Sequence, residues 1–257
     1  MLSVIVPTYQ RPYDLERCLG SIRKSSSNRC EILVLSPELS ATTQSICRHY
    51  ESILINDGSR SDGLRVKSLW SIINRGIDLS TNNFACWLND DCTVNPGWDA
   101  AALSYFQPQV GLVVLRTKGI NQSEKYEIRG GYHGVPVANY AVLRKSTGVR
   151  FDENFSWFYG DADFSLQMVK NTDWRVVGTR ENLVVHAHRH DRVRDGNEMD
   201  VRALKDHAYF ESKWHYTKRS GERVVGMNVL DRLESDVIEM LRNLYHAVQR
   251  FPNRRAK

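Results

Sequence analysis

Residues 84–94, FACWLNDDCTV, place two adjacent carboxylates, Asp90 and Asp91, directly after an apolar run. Such a run without alternation is typical of a strand that is buried on both faces of a sheet. Polar groups at the carboxyl end of a buried strand line the ligand crevice of an open α/β sheet. Two neighbouring carboxylates repel each other unless a cation or water screens them, and hard oxygen ligands of this kind hold Mg²⁺ or Mn²⁺. The alternative is an exposed turn with two solvated aspartates, since paired Asp residues are common in turns.

Strand and helix patterns alternate on both sides of this turn. The predicted strands are residues 2–6, 30–35, 53–55 and 111–115, and helical spacing begins near Asp14, Leu39, Leu69 and Pro96. Asn95 and Pro96 have the residue types of a helix N-cap and first helical residue, which predicts a helix from Pro96 to about Phe106. A chain that alternates in this way forms an α/β fold with a right-handed, parallel sheet.

The composition is that of an ordinary globular chain, with 257 residues, a formal net charge of +5 and five cysteines. The charge favours an anionic partner, but no basic run is interleaved with aromatic residues, so no nucleic acid is expected. No apolar run reaches bilayer length and residues 1–7 are too short for a signal peptide, so a cytoplasmic location is expected. The cysteines are scattered and lack C-x-x-C spacing, which indicates reduced, structural thiols.

The second half of the chain contains another acidic pair. The pattern weakens between residues 118 and 133, where we expect a mobile loop beside the site, and residues 135–143 predict a strand. Asp161 and Asp163 then follow Gly160 at the start of a helix. Carboxylates in a first helical turn are stabilised by the helix dipole, so plain capping is the alternative, above all for Asp163. Asp161 directly follows a glycine that permits close approach of a ligand, which favours a site wall.

Two further apolar strands, residues 174–177 and 183–185, lead to the histidines His186, His188 and His190. Alternate residues of an extended strand share a face, so the three histidines are a candidate metal site of their own. We favour the interpretation in which only His186, nearest the strand end, reaches a cation. A loop without any metal ligand is the remaining alternative.

Two helices are predicted after these histidines. The first is expected to pack on the sheet through Val201, Leu204, Ala208, Tyr209, Phe210 and Trp214. The second carries an apolar stripe from Leu233 to Val248, followed by basic residues. Such a stripe is usually core or the seam of a homodimer, and peripheral docking on the inner face of a membrane is the alternative.

In chain order, these motifs resemble the family two glycosyltransferases, inverting enzymes of the GT-A fold that use nucleotide-diphosphate sugar donors. The pieces that carry the resemblance are VIVPTYQR at 4–11, NRGI at 74–77, LNDD at 88–91, FDE at 151–153, DAD at 161–163 and His186. The resemblance covers about residues 1–215. It implies a mostly parallel central sheet flanked by helices, with a Rossmann-like nucleotide-sugar-binding half, a mixed acceptor half and C-terminal helices. We place these at residues 1–116, 117–220 and 221–257.

The resemblance also implies roles for individual residues. Asp161 falls on the catalytic base of the family, Asp91 on its metal ligand, and His186 on the histidine that often completes the metal site. The expected donor-binding residues are Pro7, Thr8, Tyr9, Arg11, Asn89 and Asp90.

The sequence departs from the family pattern at three sites. Ser36, Pro37 and Glu38 stand where the family usually has aspartates that bind the base, and Ile73 replaces the usual arginine before Asn74. Glu38 and Lys67 are the candidates to substitute for them. Gly160 stands where an acidic residue precedes the family's base.

The function that follows is a metal-dependent inverting glycosyltransferase in polysaccharide biosynthesis or a related process, with Mn²⁺ or Mg²⁺ as cofactor. The acceptor hydroxyl belongs to a glycan, a lipid-linked glycan or a protein. One rival is a nucleotidyltransferase that forms nucleotide sugars, although that chemistry needs a glycine-rich phosphate loop and the segment 7–12 has none. The other rival is an inactive glycan-binding or scaffold protein of the same fold.

Overall fold

The computed structural model describes residues 1–58, 68–119, 135–187 and 197–214, together with the short strands Tyr216–Thr217 and Arg223–Val224. The chain divides into two compact units, Met1–His207 and Ala208–Lys257. Within the described residues, no helix combines the length and apolar character that crossing a membrane requires.

Several sequence predictions fall outside the described residues. They concern Lys67, His188, His190 and the apolar stripe from Leu233 to Val248. These assignments stay predictions, as does the proposed boundary between residues 220 and 221.

The first unit alternates strands and helices. Its strands are β1 (Leu2–Pro7), β2 (Glu31–Ser36), β3 (Ile53–Asn56), β4 (Phe84–Trp87), β5 (Cys92–Val94), β6 (Val110–Gly119), β7 (Ala141–Arg144) and β8 (Arg175–His186). The helices are α1 (Pro12–Ser25), α2 (Ala41–His49), α3 (Leu69–Leu79), α4 (Trp98–Ser104), α5 (Gly160–Asn171) and α6 (Asn197–Trp214), the last of which ends in the second unit. The described strands of the second unit, β9 (Tyr216–Thr217) and β10 (Arg223–Val224), pair antiparallel.

One eight-stranded sheet, in the order β3-β2-β1-β4-β7-β6-β8-β5, forms the centre of the first unit. The strands β3, β2, β1 and β4 are parallel neighbours, and β6 is parallel to β8. The pairs β4–β7, β6–β7 and β5–β8 are antiparallel. The mostly parallel sheet flanked by helices is therefore confirmed, and the strands after β4 make it mixed. The carboxyl ends of β1 to β4 meet at one edge, the usual position of a ligand crevice.

The core explains why β1 and β4 are apolar at every position except Ser3. Every residue of β1 is buried, and α1 contributes the buried residues Leu15, Cys18, Leu19 and Ile22. The period of two is lost in β1 because helices cover both faces of the sheet, whereas α1 keeps a period near 3.6 because only one face is buried.

The predicted helix start at Pro96 is wrong. The residues after the acidic turn form β5, and the backbone and side-chain N–H groups of Asn95 donate to the carbonyls of Leu183 and Asn182 in β8, at 3.1 and 2.7 Å. Asn95 thus ties the chain to β8 rather than capping a helix. Gly97 then adopts a φ of +75°, which only glycine reaches readily, and α4 begins at Trp98.

Three strand boundaries also differ from the prediction. The strand predicted at residues 111–115 runs from Val110 to Gly119. It therefore includes the first two residues of the loop predicted at 118–133, and the rest of that loop lies outside the described residues. Of the strand predicted at 135–143, only β7 is regular. The two strands predicted at 174–177 and 183–185 are one strand, β8, because shifts in its register with β6 accommodate the polar residues between them.

The apolar face predicted for α6 is wrong in its first two turns. Val201 is 50% exposed and Leu204 is 70% exposed, whereas Asp206 and Phe210 are buried. The carboxylate of Asp206 accepts hydrogen bonds from the backbone N–H groups of residues 156–158. Because of these bonds, the side of the helix that carries Asp206 is buried.

Candidate active site

The acidic turn after β4 is buried, since Asp90 is 5% exposed and Asp91 only 1%. Thr8, directly after β1, donates from Oγ1 to Oδ2 of Asp90 at 2.7 Å. Nη1 of Arg11 lies 3.5 Å from Oδ1 of Asp90 and 3.6 Å from Oδ2 of Asp91. The alternative of a solvated turn is therefore wrong, and the guanidinium of Arg11 provides positive charge beside both carboxylates.

Burial raises the pKa of Asp90 to about 6. The hydrogen bond from Thr8 and the charge of Arg11 act in the opposite direction, and the neighbouring Asp91 raises the pKa further. A buried carboxyl group resists ionisation because the protein interior solvates its charge poorly. Asp90 is therefore partly protonated in weakly acidic solution, and any additional cation beside it favours the carboxylate.

Asp91 and His186 meet because β5 pairs with β8. Nε2 of His186 lies 3.1 Å from Oδ1 and 3.2 Å from Oδ2 of Asp91, and His186 is 7% exposed. The backbone holds this pair in place, since the N–H of Ala187 donates to the carbonyl of Asp91 at 3.0 Å. The sequence prediction thus placed together two residues that are 95 positions apart in the chain.

Cys92 joins the same group of side chains. It lies opposite His186 in the register of β5 and β8, and its Sγ is 4.0 Å from Oδ1 of Asp91. One ligand atom of each of the three residues lies within 4.8 Å of the others, and all three residues are buried. Burial, and then the charge of Asp91, raise the pKa of the Cys92 thiol well above its ordinary value.

These donors fit a divalent cation. Carboxylate, imidazole and thiolate are all ligands of transition metals, and three protein donors leave positions for water or phosphate oxygens. Tyr140 supports the group from the side, with its ring 5.6 Å from that of His186 and in an edge-on arrangement. Its hydroxyl also accepts a hydrogen bond from Nδ2 of Asn89 at 3.1 Å.

The loop after β1 brings the other predicted donor-binding residues to the same edge of the sheet. Pro7 and Thr8 are buried at the strand end, and the N–H of Thr8 donates to a carbonyl of β2 at 2.9 Å. Tyr9 is half-buried. Nε2 of Gln10 donates to Oε1 of Glu38 at 3.1 Å, so Glu38 lies beside this loop, and its role in binding the sugar donor stays a prediction.

Asp57 and Cys92 are two further buried residues that were not predicted as site residues from the sequence. Asp57 is 1% exposed at the end of β3, and its N–H donates to the carbonyl of Ser36 at 3.0 Å. The sequence signal that could have identified Asp57 is its position directly after β3. This strand is the neighbour of β2, after which the aspartates that bind the base in the family are missing.

The second acidic pair separates into an outer and an inner carboxylate. Asp161 is half-buried in the first turn of α5, where its Oδ1 accepts from the N–H of Ala162 at 2.9 Å. Asp163 is 0% exposed and its Oδ2 accepts from Nε2 of Gln167 at 2.6 Å. Asp161 therefore makes the contact with a backbone N–H that the capping alternative expects and is the more exposed of the two, whereas Asp163 bonds to a side chain of its own helix.

Two side chains from distant helices hold the segment that leads to Asp161. Asn74 of α3 pairs with the backbone of Phe151, donating to its carbonyl and accepting from its N–H, both at 2.9 Å. Asp206 of α6 accepts from the N–H groups of Ser156, Trp157 and Phe158, at 2.9, 2.8 and 2.9 Å. The bonds to the Asp206 carboxylate are charge-assisted, and together with the amide bonds of Asn74 they fix a loop that has no regular secondary structure.

The sequence matches the family described as Glycosyl transferase family 2 over residues 3–166, which is more than half of the chain. Among curated proteins, none matches the sequence.

Solved structures with a similar fold include three complexes with a nucleotide or a nucleotide sugar. S. aureus TarS 1–349 with UDP-GlcNAc is 14% identical, with a TM-score of 0.59 over 86% of this chain and 74% of that chain. The mannosyltransferase PcManGT from Pyrobaculum calidifontis, with GDP-Man and Mn²⁺, is 13% identical, with a TM-score of 0.54 over 93% and 79%. Glucosyl-3-phosphoglycerate synthase from Mycobacterium tuberculosis, with Mn²⁺, UDP and phosphoglyceric acid, is 12% identical, with a TM-score of 0.59 over 83% and 78%.

The chain spans 60% of another structure of S. aureus TarS 1–349 and 36% of a structure of S. aureus TarS. At these identities, the similarity establishes the fold, and the predicted GT-A type of α/β fold is confirmed.

Proposed function

The chain belongs to glycosyltransferase family 2, and from that membership we propose that it is a metal-dependent, inverting glycosyltransferase. It moves a sugar from a nucleotide-diphosphate sugar to a hydroxyl group of a glycan, lipid-linked or protein acceptor. The observation that supports this proposal most is the buried pair of Asp91 and His186, 3.1 Å apart at the end of the acidic turn. A buried carboxylate and imidazole at this distance can bind a divalent cation, which a scaffold protein without catalytic activity does not need.

The chemistry requires charge neutralisation at the leaving group. A divalent cation, Mn²⁺ or Mg²⁺, would be held by Asp91 and His186, and when bound it stabilises the negative charge of the departing diphosphate. Arg11 is 20% exposed at its side chain and lies beside both carboxylates, so its guanidinium can also bind a phosphate oxygen.

Asp161 acts as the general base. It accepts the proton of the acceptor hydroxyl while that oxygen attacks the anomeric carbon opposite the departing diphosphate. A single displacement inverts the configuration at this carbon. The first turn of α5 stabilises the ionised form of Asp161 through the helix dipole, and half-burial leaves one side of the carboxylate open to the acceptor.

The nucleoside binds at the carboxyl ends of β1, β2 and β3. Tyr9 and Glu38 border this region, and Asp57 at the end of β3 takes the place of the missing aspartates after β2. The similar structures contain UDP-GlcNAc, GDP-Man or UDP, which makes uridine and guanosine the first nucleosides to test. Asn89 and Asp90 lie between this region and the metal site.

The remaining aspects of the proposal concern the setting of the enzyme. A cytoplasmic location, a role in polysaccharide biosynthesis and a C-terminal helix that forms a homodimer or binds a membrane surface are proposed from the sequence alone.

A panel of UDP and GDP sugars tests the function directly. We expect one donor to raise the melting temperature and to be hydrolysed slowly in the presence of Mn²⁺, and both effects to disappear with a chelator. Asp91→Asn should abolish the Mn²⁺-dependent stabilisation. An inactive scaffold would hydrolyse no donor, and a nucleotidyltransferase would instead release pyrophosphate from a nucleoside triphosphate and a sugar phosphate.

Replacing Asp161 with asparagine isolates the base. Because general-base assistance contributes about 10²- to 10⁴-fold, hydrolysis of the selected donor should fall by that factor while donor affinity stays unchanged. Asp173→Asn makes the same chemical change at an exposed position after α5 and serves as the control. Wild-type hydrolysis by Asp161→Asn would show that another group removes the proton.

A further inference from the structure

We propose that Cys92 is a third protein ligand of the metal site, which makes the site a carboxylate, thiolate and imidazole set rather than an oxygen-rich one. This set binds Co²⁺, Zn²⁺ or Mn²⁺ in preference to Mg²⁺, because a sulfur ligand suits softer ions. The inference rests on the proposed function only in assuming that Asp91 and His186 bind a cation.

The strand pairing dictates the approach of the sulfur atom. Cys92 and His186 are direct partners in the antiparallel register of β5 and β8. Side chains of directly opposed residues point to the same face of a sheet, with Cβ atoms about 4.5 to 5.5 Å apart. Asp91 precedes Cys92, and its carbonyl is held by the N–H of Ala187. Backbone pairing therefore places Cys92 and His186 on one face of the sheet, and the hydrogen bond to the carbonyl of Asp91 holds the third residue beside them.

Their distances suit a shared ion. Sγ of Cys92 lies 4.0 Å from Oδ1 of Asp91, which itself lies 3.1 Å from Nε2 of His186, and all three donor atoms lie within 4.8 Å of one another. Metal–donor bonds of about 2.0 to 2.3 Å bring neighbouring ligand atoms to similar separations.

Because Cys92 is buried, solvent cannot reach the metal site from the side of its thiol. Cys92 is 0% exposed and Asp91 is 1% exposed, whereas the side chain of Arg11 beside them is 20% exposed, so we expect a cation to enter from the side of Arg11. The guanidinium of Arg11 contacts Asp91 in this structure, and its long side chain can withdraw toward solvent. The open side would then receive the diphosphate oxygens and water.

Binding changes the protonation of Cys92 without any redox step. The S–H bond breaks, its proton passes to solvent and the sulfur electron pair forms the bond to the metal ion. The competing interpretation is that Cys92 is an ordinary core thiol, because it also belongs to the apolar cluster that includes Leu88 and Val94. The two interpretations differ in what a metal ion does to the sulfur.

Cobalt is the probe that distinguishes them. The full chain, reduced and freed of metal with a chelator, is titrated with Co²⁺ in the absence of nucleotide. A Co²⁺–thiolate bond produces a near-ultraviolet charge-transfer band, which we expect in the wild type and in Cys47→Ser, a control at another buried cysteine. Cys92→Ser should lose the band and bind Co²⁺ at least about tenfold more weakly. Millimolar Mg²⁺ should not displace Co²⁺ from the wild type.

Other results would overturn the inference in distinguishable ways. If the wild type binds Co²⁺ without this band, Cys92 is not a ligand, and this conclusion needs no variant to fold. If Cys92→Ser keeps the wild-type affinity while Asp91→Asn loses it, the site of the proposed function stands with Asp91 and His186 alone. If Asp91→Asn leaves Co²⁺ binding unchanged, the metal site is wrong altogether, whereas donor hydrolysis still reports separately on the activity.

Discussion

At residue 160, the glycine before the proposed base is explained by its contact with Trp70. A Cβ built on Gly160 would lie 2.3 Å from Cε2 and 2.5 Å from Nε1 of Trp70. The indole cannot move aside easily, because it is buried and stacks on Phe151 with ring centroids 4.8 Å apart. The acidic residue that the family has at this position is therefore excluded by the space that Trp70 occupies.

We predict that Gly160→Ala lowers the free energy of unfolding by about 1 to 3 kcal/mol, as overpacking of a buried contact does. Chemical denaturation measures this. Gly178→Ala is the matched control, because its Cβ would lie at an ordinary 3.7 Å from Cγ of Pro136. In a Trp70→Phe background, the cost of Gly160→Ala should shrink, and strictly additive effects would contradict the contact as the cause.

Because the pKa of Asp90 is raised, we predict that the stability of the protein depends on pH when a chelator keeps it free of metal. Its folded-state pKa of about 6 lies above the ordinary 3.8, so the folded state binds the proton more tightly than the unfolded state. The stabilisation from this proton is complete below about pH 4 and is lost as the pH rises through 6. The rise in pKa corresponds to about 3 kcal/mol.

Asp90→Asn, which cannot ionise, should therefore be more stable than the wild type by up to about 3 kcal/mol at pH 8 and by little at pH 4. Urea unfolding of both proteins at the two pH values measures the difference in their free energies of unfolding. The contributions of the other titrating groups are shared by the two proteins and cancel in this difference. A stability difference that is the same at both pH values would show that ionisation of Asp90 is not its origin.

At the scale of elements, α6 acts on the active-site segment through Asp206. This carboxylate accepts three backbone hydrogen bonds from residues 156–158. Asp206→Asn keeps the shape but points an N–H group at a donor, so we predict a loss of about 2 to 4 kcal/mol in unfolding free energy. Lys205→Gln, on the neighbouring exposed position, should change stability by less than about 0.5 kcal/mol. A loss from Asp206→Asn as small as that from Lys205→Gln would show that the three bonds do not stabilise the fold.

The elements that could be predicted are those whose own residues show the pattern of burial, either a helical period or a continuous apolar run. The helix α1 and the strands β1 and β4 were predicted because the order of apolar and polar residues within each segment indicates whether one or both of its faces are buried. The strand β5 was not, because it has three residues and its partner β8 lies about ninety positions later. The start of α4 was misplaced for the same reason, since the hydrogen bonds of Asn95 to distant carbonyls decide it.

At the scale of the whole molecule, the order of the strands could not be read from local patterns. The strand β7 inserts antiparallel between β4 and β6, and this position follows from long-range packing rather than from its four residues. The meeting of Asp91 with His186 was nevertheless predicted, through the order of motifs that the family shares. Cys92 was missed because no motif includes it, and only the register of β5 shows its place.

The distribution of the cysteines gives a prediction about global unfolding. All five are buried free thiols, and they lie in or beside separate elements: Cys18 in α1, Cys30 before β2, Cys47 in α2, Cys86 in β4 and Cys92 in β5. Burial raises the pKa of each thiol, which further suppresses the reactive thiolate. Modification by a disulfide reagent should therefore require opening of the sheet or its helices.

We predict that the native, metal-free protein exposes no rapidly reacting thiol, and that all five react together in denaturant. The native rate should be at least about 10³-fold below the denatured rate, because the reactive state is populated only through unfolding. Rates measured at increasing sub-denaturing urea concentrations should rise with a slope close to that of global unfolding for all five thiols. One thiol that reacts early with a shallow slope would identify an element that opens independently, and labelling with peptide mapping would show whether that element is the edge strand β5, whose only pairing partner in the sheet of the described residues is β8.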